Sequence, residues 1–179
     1  VSLEGRVVAK EGILGRTEAG FAYNDATDVL YPGLRMDATY DRSLRFGYAE
    51  TLETDGYFDH WKVELAASRV EHDMRDTFRM TSQKPAWEER GYMMRTEAET
   101  RFLKAGFRAS RLRENRALRW GLAVQDRMWD ADNKVMNASN NMIPDVSVRE
   151  AGGHAVYERR KGPWALELGG RVDWRRSEA

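Results

Sequence analysis

The sequence has no cysteine among its 179 residues, which removes disulfide frameworks, thiolate metal sites and cysteine nucleophiles. It has no excess of charge either: 29 Lys and Arg stand against 29 Asp and Glu, so a dominant nucleic-acid footprint is excluded and mutually compensated charges are expected. No apolar run approaches the roughly 20 residues that a membrane helix needs. The chain starts at Val1 without Met or a signal sequence, which a secreted barrel would carry, so it reads as an excised piece or an incomplete record of a longer protein. With 41% hydrophobic and 32% charged residues and a mean hydropathy of -0.72, the average is that of an ordinary soluble domain. A barrel strand, however, offers lipid only every second side chain, and its polar lumen face hides the membrane signal in such an average.

Catalytic chemistry is equally sparse. His60, His72 and His154 are far apart, and there is no H-E-x-x-H pair and no G-x-S-x-G elbow. Gly152–Gly153 and Gly169–Gly170 lie inside strand-like segments with no helix after them, which excludes a phosphate-binding loop. Asp130, Asp132 and Asn133 open like a calcium loop but lack its glycine and terminal glutamate, so a solvated turn is expected there. Asn137-Ala-Ser139 matches the glycosylation pattern over three residues only. Inward pairs such as Glu167/Arg171 read as lumen ion-pair ladders rather than acid–base groups. No enzyme is expected.

What is present is a rhythm of eight strand-like segments joined by connections of alternating length. The short ones are Lys10–Gly12, Glu53–His60, Leu112–Arg116 and Arg160–Pro163, and the long ones run roughly over Asn24–Tyr40, His72–Tyr92 and Trp129–Val146. Short turns on one side and long loops on the other are the pattern of an antiparallel transmembrane β-barrel. In the last segment Trp164, Leu166, Leu168, Gly170, Val172 and Trp174 share one face, and Ala165, Glu167, Gly169, Arg171 and Asp173 the other. The two tryptophans are about 33 Å apart along a strand, or about 23 Å along the membrane normal at a tilt of about 45°, close to the apolar band of about 25 Å. Leu118–Val124, Trp61–Ala67, Leu44–Tyr48 and Thr17–Tyr23 alternate in the same way, and Ala151, Gly153, Ala155 and Tyr157 make a thinner apolar face. In Thr96–Ala109 the apolar phase changes near Arg101–Phe102, which predicts a bulge. Tyr57, Phe58, Trp61, Trp120, Tyr157 and Trp164 gather near the short turns, as an interfacial belt would.

One spacing stands apart. His72-Asp73-Met74 sits where a strand gives way to the longest loop, in a region that also holds Met80, Met93 and Met94. Imidazole plus thioether is a soft donor set that favours Cu(I) over hard cations. Donors at i and i+2 of an extended chain point to one side, so both can grip one ion. A surface role for these residues remains the alternative on chemistry alone.

The stretches Asp28–Ala38, Val70–Met74, Trp129–Asn133 and Ile143–Val146 resemble the barrel of a TonB-dependent outer-membrane receptor of the copper-receptor branch. The resemblance covers most of the chain from about Asp28 onward. It implies that residues 1–179 are part of the barrel domain, about eight strands of a 22-stranded barrel, with the N-terminal plug domain absent from this chain. It further implies an outer-membrane location, import driven by the TonB complex through the plug, and a His-x-Met pair, here His72 and Met74, that meets Cys and Met ligands on the plug. Copper is the preferred cargo, as a transported ligand and not a cofactor. Siderophore, haem or vitamin cargo stay open, as do an autonomous eight-stranded structural or adhesion barrel and a soluble ligand-binding barrel.

Overall fold

The computed structural model describes residues 1–9, 15–31, 37–76, 94–135 and 138–179. Lys10–Gly12, Pro32–Met36, Met80, Met93 and Asn137 lie outside them. The described chain is one antiparallel sheet of eight strands in sequence order: β1 (Ser2–Ala9), β2 (Arg16–Val29), β3 (Asp37–Glu53), β4 (His60–Arg75), β5 (Met94–Arg113), β6 (Arg116–Val135), β7 (Ala138–Lys161) and β8 (Trp164–Glu178). Each strand pairs only with its neighbours, so β1 and β8 are the two edges of an open sheet.

Strand pairing carries the face assignment from one strand to the next, because directly opposed residues project to the same side. Leu168 opposes Tyr157, which opposes Leu118; Val172 opposes Gly153, which opposes Leu122, then Phe107, Val63 and Glu50. All the alternations read from the sequence fall into register on one outward face. Leu65, Leu103, Leu122, Leu168 and Val172 stand there at 43%, 60%, 55%, 59% and 77% exposure, whereas among the described residues the buried hydrophobic ones are Ala38, Ala109, Ala117, Ala131 and Val148. Among the described residues no second layer covers this face. An apolar surface of this extent marks a contact with lipid or with another protein surface.

The inward face is polar. Arg6–Glu18 (3.0 Å), Lys62–Glu64 (2.8 Å), Arg108–Glu64 (3.1 Å) and Arg175–Glu150 (3.4 Å) are ion pairs on it. Arg171 pairs with Asp173 at 2.6 Å instead of with Glu167, which corrects the expected ladder: Glu167 opposes Glu158 across β7–β8. A cavity lined from β1 to β5 by Arg6, Glu18, Arg45 and Glu64 makes this face the concave one.

At the turn end of the outward face, rings meet in series: Phe58–Trp61 at 5.2 Å, Trp61–Phe107 at 5.2 Å and Phe107–Trp120 at 5.1 Å. Such contacts contribute about 0.5–1.5 kcal/mol each beyond area burial, and their height matches an interfacial belt.

Four sequence expectations are corrected. The pairing of β5 runs unbroken through Arg101 and Phe102 on both sides, so there is no bulge at that place. The phase changed because the inward face at that height carries Phe102, Val70 and Trp129, and not because the backbone slips. The irregularities lie instead between Ala38 and Tyr40 on β3 and around Trp129–Asp132 against β7. Asp28, with φ of 54°, faces the first, and Asp145, with φ of 28°, lies at the second. The stretch Trp129–Val146 is not a long loop, since β6 continues to Val135 and β7 begins at Ala138. Likewise Asn24–Val29 extends β2, and Asp130, Asp132 and Asn133 stand on β6 rather than in a turn.

Candidate functional site at the loop end of the inward face

The sheet register gathers the resembling stretches. Val70 opposes Thr100, which opposes Trp129, which opposes Val146. One row further toward the loop end, Asp41, His72, Ala98, Ala131 and Ile143 follow one another across β3 to β7. Residues from Asp41 to Val146 in the chain thus form one zone.

His72 and Met74 share the inward face, because β4–β5 pairing is continuous through His72↔Ala98 and Met74↔Thr96. Both are half-buried. His72 is flanked by the small Ala98 on one side and by Asp41 on the other, and Met74 by Thr96 and the fully buried Ala38. Asp41 accepts a hydrogen bond from the Tyr31 hydroxyl at 3.1 Å. Burial, reinforced by the Asp41 carboxylate, raises the Tyr31 hydroxyl above its ordinary value, so it remains a donor at neutral pH.

Between the two donors, Asp73 projects to the opposite side of β4. It is 1% exposed and is gripped by Arg95 at 2.7–3.0 Å and by Arg75 at 3.1 Å. A buried carboxylate held by two guanidiniums adds little net stability, but losing a partner is costly. Its effect here is to pin the orientation of the strand from which His72 and Met74 project inward.

Just below the pair, the Arg127 guanidinium lies over Phe102 at 5.4 Å and over Trp129 at 5.2 Å. This aromatic ledge interrupts an otherwise charged lumen surface. Cation–π contacts of this kind are worth about 0.5–2 kcal/mol.

Among the described residues no three His, Cys, Asp or Glu side chains come together as a metal cluster. His72 and Met74 stand on one face of β4, with Asp41 as the carboxylate directly opposite His72. Met80 and Met93 lie outside the described residues. Asp41 and Tyr31 were missed in the sequence, because nothing local marks the residue that faces His72 across a bulged ladder.

No family model matches the chain, and no curated protein matches it. Among solved structures, the chain is similar to the protein titled "Copper transporter OprC", with a TM-score of 0.77 and 14% sequence identity. The likeness covers 97% of this chain and 28% of that one, so the chain spans under a third of the transporter's length. In fold, the eight antiparallel strands match part of the OprC barrel, in line with the barrel resemblance read from the four stretches.

Proposed function

We propose that residues 1–179 are part of the barrel domain of a TonB-dependent outer-membrane receptor that imports a metal or metal chelate, with copper the preferred cargo. The observation that carries this reading is the likeness to the copper transporter's barrel over 97% of the chain. His72 and Met74 supply one imidazole and one thioether on the inward face at the loop end, where an ion descending from outside would arrive. Thioether and neutral imidazole suit Cu(I). Two donors hold such an ion weakly, and further soft ligands from the plug complete the set in this reading. Uptake then consists of binding at the outer face followed by plug rearrangement driven through TonB, with no covalent chemistry.

The test replaces His72 and Met74 by Ala in the full-length protein. Bound copper, measured by elemental analysis after loading with Cu(I), is expected to fall while heat-modifiability of the barrel stays the same. Unchanged copper content would remove the copper assignment and leave the importer reading standing on the fold.

A further inference from the structure

At the turn end of the outward face the apolar band gives way to cations. Arg113 stands directly opposite Arg116 across β5–β6, and Arg116 directly opposite Arg159 across β6–β7. One row nearer the band, Arg111 opposes Leu118, and Leu118 opposes Tyr157. Like charges opposed in the manner of Arg113, Arg116 and Arg159 are about 4.5–5.5 Å apart at Cβ and destabilise a sheet. The carboxylates of this chain reach that row at one place, where Asp59 accepts from Arg113 at 2.7 Å. Glu158 is taken by Arg119 on the inward face. Among the described residues Arg111, Arg116, Arg159 and the next outward cation, Lys161, have no ion pair, and Glu114 in the adjoining turn makes none with them. Four cations thus stand against one carboxylate.

The place is also shaped. A cavity of about 650 Å³ is lined by Arg111, Arg113 and Arg116, by Tyr57, Leu118 and Tyr157, and by Glu114. The Arg111 guanidinium lies over the Tyr57 ring at 4.1 Å. Stacking occupies the face of a guanidinium and leaves its in-plane N–H groups for a forked acceptor such as phosphate. The turn is tied to β7, since the Arg160 N–H donates to the Asn115 carbonyl at 2.9 Å, and Arg116 and Arg159 are thereby held side by side. Beside the cavity the outward face continues into apolar surface, from Leu118 to Trp120 along β6 and from Tyr157 to Leu168 across β7–β8. A ligand seated here meets cations at one end and an apolar wall at the other.

We propose that this cavity seats the headgroup of an anionic glycerophospholipid of the inner leaflet, with the phosphodiester between Arg111, Arg116 and Arg159 and the acyl chains along Leu118, Trp120 and Leu168. This rests on the outer-membrane reading above, in which short turns face the periplasm. The lipid phosphate supplies the counter-charge that the opposed arginines lack, in the forked geometry that guanidiniums bind. The excess of cations selects a headgroup with no ammonium beside its phosphate, because an ammonium would meet Arg116 and Arg159 as a like charge.

The test uses the full-length protein purified in detergent and titrated with phosphatidylglycerol or, separately, with phosphatidylethanolamine of the same acyl chains, with retained lipid read by native mass spectrometry. Phosphatidylglycerol is expected to be retained about tenfold better, and R116Q/R159Q to remove that preference, a loss of about 1.4 kcal/mol. R69Q/R101Q, at the loop end of the same face and with the same change of charge, is expected to keep the preference within about twofold. If R116Q/R159Q does not fold, R159Q alone carries the test, with about a threefold loss expected. Phosphatidylglycerol is also expected to raise the heat-modifiability midpoint of the wild type and not of the variant, whereas a merely structural role for the arginines would leave the two shifts equal. Inorganic phosphate at the same concentration is expected to leave the lipid bound, and its displacement of the lipid would mean a site for a bare anion. Equal retention of the two lipids, an unchanged preference in the variant, equal shifts or displacement by phosphate overturns the proposal. If the outer-membrane reading itself is at fault, the protein stays soluble without detergent and retains neither lipid, which separates the two failures.

Discussion

The carboxylate of Asp59, in the turn between β3 and β4, accepts a hydrogen bond at 2.7 Å from the guanidinium of Arg113, at the start of the turn between β5 and β6. It also accepts one from the Leu112 backbone N–H. Two turns more than fifty residues apart are thereby clasped below the aromatic cluster. Within the first turn, Thr54 Oγ1 donates to the Phe58 carbonyl at 2.7 Å and accepts from the Gly56 N–H at 3.1 Å.

The clasp makes turn stability depend on acid. The Arg113 guanidinium, with help from the Leu112 N–H, holds the Asp59 carboxyl below its ordinary value. A carboxyl lowered in the folded state contributes stability that is present above its unfolded pKa and lost as pH falls through the folded one. Asp59→Asn is therefore expected to lower the heat-modifiability midpoint of the full-length protein at neutral pH, with the difference from wild type shrinking as pH falls below the ordinary Asp value of about 3.9 and gone once pH is below the lowered folded-state value. A constant difference across pH would show that Asp59 acts by packing alone.

Face assignment is tested by depth. Leu122 is outward, 55% exposed and in mid-band, while its neighbour Ala123 is inward. Leu122→Arg should cost roughly 2–4 kcal/mol in equilibrium folding into lipid vesicles, and Ala123→Ser should be much milder. Equal costs would mean that the two faces are exchanged.

Backbone closeness gives a third test. A Cβ on Gly121 would meet the Phe107 carbonyl oxygen at 2.9 Å and the His154 ring at 2.8 Å, while a Cβ on Gly47 meets nothing within 4 Å. Gly121→Ala must push β5 away from β6 and should cost about 1–3 kcal/mol. Gly47→Ala should be neutral or stabilising by a few tenths, because it lowers the entropy of the unfolded chain. Both are read from the same denaturant titration.

The edges give a fourth. In an open sheet the outer sides of β1 and β8 have unpaired backbone groups that lipid cannot satisfy. Residues 1–179 expressed alone are expected to aggregate or fail to insert. A sharp, heat-modifiable monomer in detergent would instead favour an autonomous eight-stranded barrel.

The sequence by itself determined, for the described residues, the number of strands, the end of the sheet at which the turns after β3, β5 and β7 lie, and the face of most strand side chains. It could do so because side-chain alternation has a period of two and is a local property of an extended chain. The shared face of His72 and Met74 was legible for the same reason. Only the tertiary structure decided how far strands run into apparent loops, as β6 and β7 do beyond Trp129, since polar residues pair as well as apolar ones once a neighbouring strand is present. It also decided where the bulges lie, because a bulge is a mismatch between two strands and has no signature in one of them. Pairing register alone brought Asp41 beside His72 and set Arg69 against Arg101. Such meetings depend on residues about thirty apart in the chain, and no pattern within one strand encodes them.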